Sequence, residues 1–69
     1  MEQLELRVTG MSCTVCEQRI QRALARLGGV ARSAADHRAA HVRVVFDPTR
    51  TSPQAVRARI EEAGYEVTS

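Results

Sequence analysis

The sequence changes its hydrophobic period across one short stretch, Gly10-Met11-Ser12-Cys13-Thr14-Val15-Cys16. Before it, apolar and polar residues alternate along Leu4-Glu5-Leu6-Arg7-Val8, which is the pattern of a half-buried strand. After it, apolar side chains recur every three or four residues from Glu17 to Leu27, which is the pattern of an amphipathic helix. The stretch is therefore predicted to be a strand-to-helix turn, with Ser12 or Thr14 as the helix cap.

This turn carries both cysteines of the chain, Cys13 and Cys16. A helix start presents unpaired N–H groups and the positive end of the helix dipole, which lower the pKa of a cysteine placed there. We expect Cys13 to stay in the loop and Cys16 to begin the inner stripe of the helix, so that Cys13 is the more accessible thiol. Two thiolates on one turn are suited to a soft metal ion or to a disulfide, and the residues alone leave both open.

The remaining segments predict three strands and one more helix. A weak strand beginning at Val30 is followed by a turn near Arg38 and by the clearly alternating residues 41–46. A second helix is expected after Ser52, its cap, and a short last strand at residues 65–67. Three residues are expected on the buried face of that helix, which stops before Gly64: Val56, Ile60 and Ala63.

The order of these elements is βαββαβ, and it predicts an α+β fold of the ferredoxin-like type. This fold has a four-stranded antiparallel sheet with both helices on one face. We expect residues 1–69 to form a single domain, with the third strand between the first two. That topology would bring the cysteine turn, the tip of the hairpin and Tyr65 to one end of the molecule.

Composition narrows the class of function. The chain has 69 residues, a formal charge of +2 and no apolar run of membrane-spanning length, so we expect no membrane insertion. The N-terminus lacks the form of a secretory signal, which predicts a cytoplasmic protein whose cysteine pair is metal-binding or redox-active. One Phe, one Tyr and no Trp leave no platform for stacking bases, so we expect no nucleic-acid binding.

Residues along nearly the whole chain resemble the heavy-metal-associated domain family, found as small copper chaperones and as N-terminal modules of metal-pumping P-type ATPases. The matching residues are Gly10-Met11-Ser12-Cys13-Thr14-Val15-Cys16, Ile20, Ala23-Leu24, Gly29-Val30, Val44, Phe46-Asp47-Pro48 and Ala63-Gly64-Tyr65. The resemblance implies that Cys13 and Cys16 bind the metal, that Met11 packs beneath the loop, and that Tyr65 lies beside the site. Ser12 and Thr14 would then flank the ligands. It also implies a carrier, not an enzyme, that passes metal to a P-type ATPase or its metal-binding domain by thiolate exchange.

The number of ligands favours Cu(I) as the metal. Two thiolates satisfy Cu(I), whereas Zn(II) takes four ligands in a tetrahedron. Zinc- and cadmium-handling members of the family place an acidic residue where this chain has Ser12. Hg(II), Zn(II) and Cd(II) remain alternative cargoes, and a thiol–disulfide redox protein is the alternative of a different class. We expect a monomer without metal, and two copies can share one ion.

The histidines and one glutamate offer further ligands. Cys13 and Cys16 followed by His37 and His41 superficially match a Cys₂His₂ zinc site, but the gap of twenty residues is too long for a zinc finger. His37 and Glu17 stay open as auxiliary contacts to a metal, although a glutamate in the first helical turn more often complements the helix dipole.

Three arginines recur at helical spacing beyond the cysteine turn: Arg19, Arg22 and Arg26. Such a stripe is usually a solvated surface. Because it begins beside the proposed metal loop, it is also a candidate docking surface for an acidic partner.

Overall fold

The two alternating segments of the sequence form the centre of the sheet. In the computed structural model, which describes residues 1–68, β1 spans Glu2–Thr9 and β3 spans His41–Phe46. The two strands pair antiparallel, in register from Glu2 opposite Phe46 to Arg7 opposite His41. Their alternate apolar side chains are buried on one face: Leu6, Val8, Val42, Val44 and Phe46. Apolar and polar residues alternate along these two strands because only one face of the sheet is covered by the rest of the protein.

The outer strands complete the predicted topology. β2, Val30–Asp36, pairs antiparallel with β3, and the two-residue β4, Glu66–Val67, pairs antiparallel with the end of β1. The strand order is β2-β3-β1-β4, so β3 lies between the first two strands. Together with the two helices, this sheet confirms the ferredoxin-like βαββαβ fold.

Helix α1 differs from its prediction at both ends. It spans Thr14–Ala25, so it begins three residues before the predicted start at Glu17 and ends before Leu27. The cap is Cys13, in extended conformation, and its thiol makes no capping hydrogen bond; the prediction of Ser12 or Thr14 was wrong. The first turn contains no fully buried residue, because the helix buries only Ile20 and Leu24, and apolar periodicity therefore could not mark its start.

Helix α2, Pro53–Glu62, agrees with its prediction except at its end, where Ala63 is a half-buried cap and not a buried helical residue. The hydroxyl of Ser52 accepts a hydrogen bond from the Ala55 N–H at 3.2 Å, which satisfies one of the free donors of the helix start. Val56 and Ile60 are fully buried and lie in one cluster with the apolar residues of α1 and of the sheet. Both helices therefore cover the same face. Within residues 1–68 neither helix has the length and apolar character needed to cross a bilayer.

Gly29 marks a close approach between two loops. Its φ is +98°, and a Cβ at this position would lie 2.9 Å from the Cβ of Arg50. Its carbonyl accepts a hydrogen bond of 2.7 Å from the Asp47 N–H. At Gly28, by contrast, a Cβ would meet nothing within 4 Å. Only the second glycine of the pair is required by the fold.

Candidate metal site

The two thiols lie together at one end of the molecule. Gly10, with a φ of +87°, turns the chain out of β1, and the loop leads directly into the first turn of α1. Cys13 is the exposed cap of that helix, and Cys16, its third residue, is half-buried against the core. Both cysteines are free thiols, and their Sγ atoms are 3.6 Å apart. The prediction that Cys13 is the more accessible thiol is confirmed.

The 3.6 Å separation of the two sulfurs is compatible with a pair of ligands for one metal ion. A disulfide needs about 2.05 Å between the sulfurs. Two sulfurs that hold a metal ion lie farther apart than those of a disulfide, because each metal–sulfur bond is itself about 2.3 Å long in the case of Zn(II). If an ion bound between the sulfurs, the exposed side chain of Cys13 would be the one free to adjust, because Cys16 is packed against the core.

The thiol of Cys16 is held as a thiolate. Its pKa is lowered from 9.0 to about 6, chiefly by a hydrogen bond from the hydroxyl of Tyr65. Weaker contributions come from the backbone N–H of Ser12, from the thiol of Cys13 and from the Cys13 N–H, whereas burial opposes them. The same hydrogen bond raises the pKa of Tyr65. At neutral pH, Cys16 is therefore already in the form that binds a metal.

The other residues expected around the ligands occupy different settings. Met11 is 5% exposed and belongs to the core cluster, so its thioether is directed to packing. Tyr65 is 8% exposed, and its ring lies 3.7 Å from where a Cβ on Gly10 would be. The backbone N–H of Ser12 contributes to the lowered pKa of Cys16. Thr14 is exposed at the first position of α1.

Two arginines of α1 and the arginine that caps its end share one exposed surface. Arg19, Arg22 and Arg26 line a shallow groove together with Ala23 and Ala63. Within residues 1–68 none of the three forms a salt bridge. Arg19 also acts on the site, because its guanidinium counteracts the rise in the pKa of Tyr65.

The sequence profile of the heavy-metal-associated domain matches residues 5–66. The chain belongs to this family. The match extends from the middle of β1 into β4 and includes both thiols.

Relatives of this heavy-metal-associated domain include complete small proteins and parts of large ones. The copper chaperone CopZ of Staphylococcus haemolyticus is 39% identical over 62 residues, which cover 90% of this chain and 91% of that protein. A solved structure of a CopZ metallochaperone superposes with a TM-score of 0.95 at 30% identity, covering 97% of this chain and all of the other. The copper-exporting P-type ATPase of Bacillus subtilis is 31% identical over 68 residues, but the chain spans only 8% of its length.

The two histidines of the domain do not join the cysteines. His37 lies in the turn after β2, where its ring Nδ1 and its backbone N–H each donate to Glu17 Oε2 at 2.6 Å. These hydrogen bonds, the one from the backbone first, lower the pKa of Glu17. His41 is half-buried and faces Glu5 at 3.6 Å. Across residues 1–68 no group of three or more His, Cys, Asp and Glu side chains is placed to hold a metal ion, so the Cys₂His₂ set is not assembled.

Two contacts at the thiol end of the molecule join residues that are far apart in the sequence. The hydrogen bond between Glu17 and His37 joins residues twenty positions apart, and no local pattern signals it. Tyr65 was expected beside the site, and the structure adds that its hydroxyl lowers the pKa of Cys16. The predicted convergence of α1, the hairpin and Tyr65 at one end was the available signal for both.

Proposed function

We propose that this domain binds one Cu(I) between Cys13 and Cys16 and passes it to a copper-transporting P-type ATPase. The observation that carries the proposal is the thiol pair itself: two free sulfurs 3.6 Å apart, one exposed and the other held as a thiolate. The name of the CopZ relatives, copper chaperone, supports copper as the cargo, and the similarity to a copper-exporting ATPase supports the kind of partner.

Transfer proceeds by ligand exchange. A thiolate of the partner adds to Cu(I) while both cysteines still hold it, which gives a three-coordinate ion. One of the original sulfurs then leaves and takes up a proton, and the second follows when another partner thiolate binds. Cys13 is the first to leave in this proposal, because it is exposed whereas Cys16 keeps its hydrogen bond from Tyr65. No bond is made or broken within a substrate, so the domain acts as a carrier rather than an enzyme.

Copper is preferred to a harder ion because of what surrounds the thiols. Cu(I) is satisfied by two soft sulfurs, while Zn(II) needs further ligands. The structure places no third His, Cys, Asp or Glu side chain with the pair among residues 1–68. Hg(II) and Cd(II), which are also soft, are the competing ions to include in any titration.

The arginine surface is the proposed docking site. Arg22 and Arg26 carry exposed charges that are free of salt bridges in residues 1–68. Arg22 lies in the helix that begins with the thiols, and Arg26 caps the end of that helix. An acidic partner surface would be attracted to them and oriented toward the metal. In this proposal the domain works in the cytoplasm, where its thiols stay reduced, as a monomer that forms a dimer only when two copies share an ion.

Anaerobic titration with Cu(I) against a competing chelator tests the binding step. One equivalent should bind to the wild-type chain, and Cys13→Ser and Cys16→Ser should each lose the competitive binding. The matched control is Val15→Ser, which introduces the same side chain at an exposed position between the two cysteines and keeps both thiols. Binding that survived in both cysteine variants would refute the assignment, and turnover in an insulin-reduction assay would favour the redox alternative.

Transfer to a partner requires its own measurement. The copper-loaded chain is mixed with the N-terminal domain of a copper-exporting ATPase, and the transfer rate is followed at low and high salt. Arg22→Glu should slow transfer at low salt, because a rim charge acts mainly on the association rate. Arg57→Glu, an exposed arginine on α2, is the matched control. An equal slowing by both variants would argue against the docking surface.

A further inference from the structure

The side chain of Glu17 connects the metal-binding end of α1 to the β2–β3 turn. One carboxylate oxygen, Oε2, accepts both the backbone N–H and the ring Nδ1–H of His37, each at 2.6 Å. Because an ionised carboxylate can only accept, the proton must be on the histidine Nδ1. Both side chains are largely shielded, with exposures of 19% for Glu17 and 28% for His37.

Glu17 is also the carboxylate nearest in sequence to the thiols. It directly follows Cys16, and it lies four residues after Cys13, whose carbonyl accepts the Glu17 N–H at 3.2 Å. Side chains four residues apart meet on one face of a helix. A carboxylate oxygen is a common ligand for Zn(II), whereas Cu(I) selects soft sulfur ligands. If this carboxylate turned toward Cys13, the site would gain a hard third ligand.

The first turn of α1 lacks the usual side-chain cap. The cap position belongs to Cys13, whose thiol makes no capping hydrogen bond, so the usual stabilisation of a helix start, about 1 kcal/mol, is missing there. The hydrogen bonds from His37 attach the same turn to the hairpin instead.

We infer that His37 is a specificity-determining residue, which holds the Glu17 carboxylate against the hairpin and so keeps the site a two-sulfur site that favours Cu(I) over Zn(II). This inference rests on the proposed copper function. A merely structural role for the pair would weaken the fold and both metal affinities together. If His37 determines specificity, its loss changes the ratio of the Zn(II) affinity to the Cu(I) affinity, and only while a carboxylate is present at position 17.

The test measures Zn(II) and Cu(I) affinities separately by chelator competition under anaerobic conditions. His37→Ala removes the ring donor and leaves the backbone donor. Glu17→Asp shortens the side chain so that it no longer reaches His37, yet keeps a carboxylate near Cys13. In both variants we expect Zn(II) to bind about tenfold more tightly, equivalent to about 1.4 kcal/mol, with Cu(I) affinity within about twofold of wild type.

Two further variants isolate the cause. In Glu17→Gln/His37→Ala no carboxylate is left to release, so Zn(II) affinity should return to the wild-type value. His41→Ala removes the other histidine that faces a glutamate, Glu5, on the opposite face of the sheet, and it should not alter the ratio. Circular dichroism of each apo variant checks the fold, and Glu17→Asp decides the question if His37→Ala does not fold.

The outcomes separate this inference from the proposed function. A wild-type chain that bound no Cu(I) would overturn the copper function, and the inference with it. A wild-type chain that bound Cu(I), with unchanged Zn(II) affinity in Glu17→Asp and His37→Ala, would overturn the inference alone. A double variant that bound Zn(II) as tightly as His37→Ala would also overturn it, because the added ligand would not be the carboxylate.

Discussion

The hydroxyl of Tyr65 offers the sharpest test of how the site is tuned. It is the largest of four hydrogen-bond contributions that lower the pKa of Cys16 from 9.0 to about 6, against the opposing effect of burial. Because it is the largest of the four, its loss in Tyr65→Phe should raise this pKa back toward the ordinary value of a cysteine. Phenylalanine fills nearly the same volume, so the core should stay packed.

The change in pKa has a consequence for metal binding that depends on pH. At about pH 6, roughly half of the wild-type Cys16 is thiolate, and a rise of about one pKa unit in the variant would leave about a tenth, because the proton competes with the metal for sulfur. Cu(I) affinity should therefore fall about fivefold in Tyr65→Phe at about pH 6. As the pH rises above the pKa of the variant, both proteins become thiolate at this position, and the affinities should converge.

Alkylation rates measure the pKa directly. In a Cys13→Ser background, Cys16 is the only thiol, and its reaction with iodoacetamide is followed from about pH 5 to pH 9 with and without Tyr65→Phe. Thermal unfolding of the two proteins provides the control for packing. The reasoning is refuted if the midpoint of the alkylation profile does not move, or if Cu(I) affinity drops equally at the lower and the higher pH.

Three stability predictions concern the scaffold, and urea unfolding measures each. Gly29→Ala should lower the free energy of unfolding by about 2 kcal/mol, because its positive φ and the nearby loop both oppose a Cβ. Gly28→Ala should leave the free energy of unfolding nearly unchanged, and equal losses in the two variants would contradict the close approach at Gly29. Ser52→Ala should cost about 1 kcal/mol through the lost cap of α2, and a Thr at the same position should retain most of it. Ile60→Ala should cost about 3 kcal/mol, because the side chain is fully buried; a loss under about 1 kcal/mol would mean that the core closes around the cavity.

Local patterns were sufficient for most of the scaffold. The strict alternation of apolar and polar residues predicted β1 and β3 and the buried face of each. It could do so because successive side chains of a strand point to opposite faces of the sheet. Ser52 followed by Pro53 marked the start of α2, because a hydroxyl cap and a preset φ act within one turn. The position of the thiols at a strand-to-helix turn followed from the same local rules.

The start of α1 shows where local rules fail. Thr14 and Val15 are exposed and Cys16 is half-buried, so the first turn has no apolar period, and the prediction moved the helix start to Glu17. Tertiary packing decides this boundary, because the turn is held by contacts with the hairpin and with Tyr65.

The chemistry of the thiol pair depends on the same long-range contacts. Tyr65 lies forty-nine residues after Cys16, and His37 lies twenty after Glu17. The folded chain nevertheless hydrogen-bonds His37 to Glu17 and brings Tyr65 close enough to Cys16 to lower its pKa. Periodicity and turn preferences act over a few residues, so they supply the two sulfurs and the elements that carry them. Which donor faces Cys16, and where the neighbouring carboxylate points, is settled only when the sheet order brings the hairpin and the last strand beside the helix start.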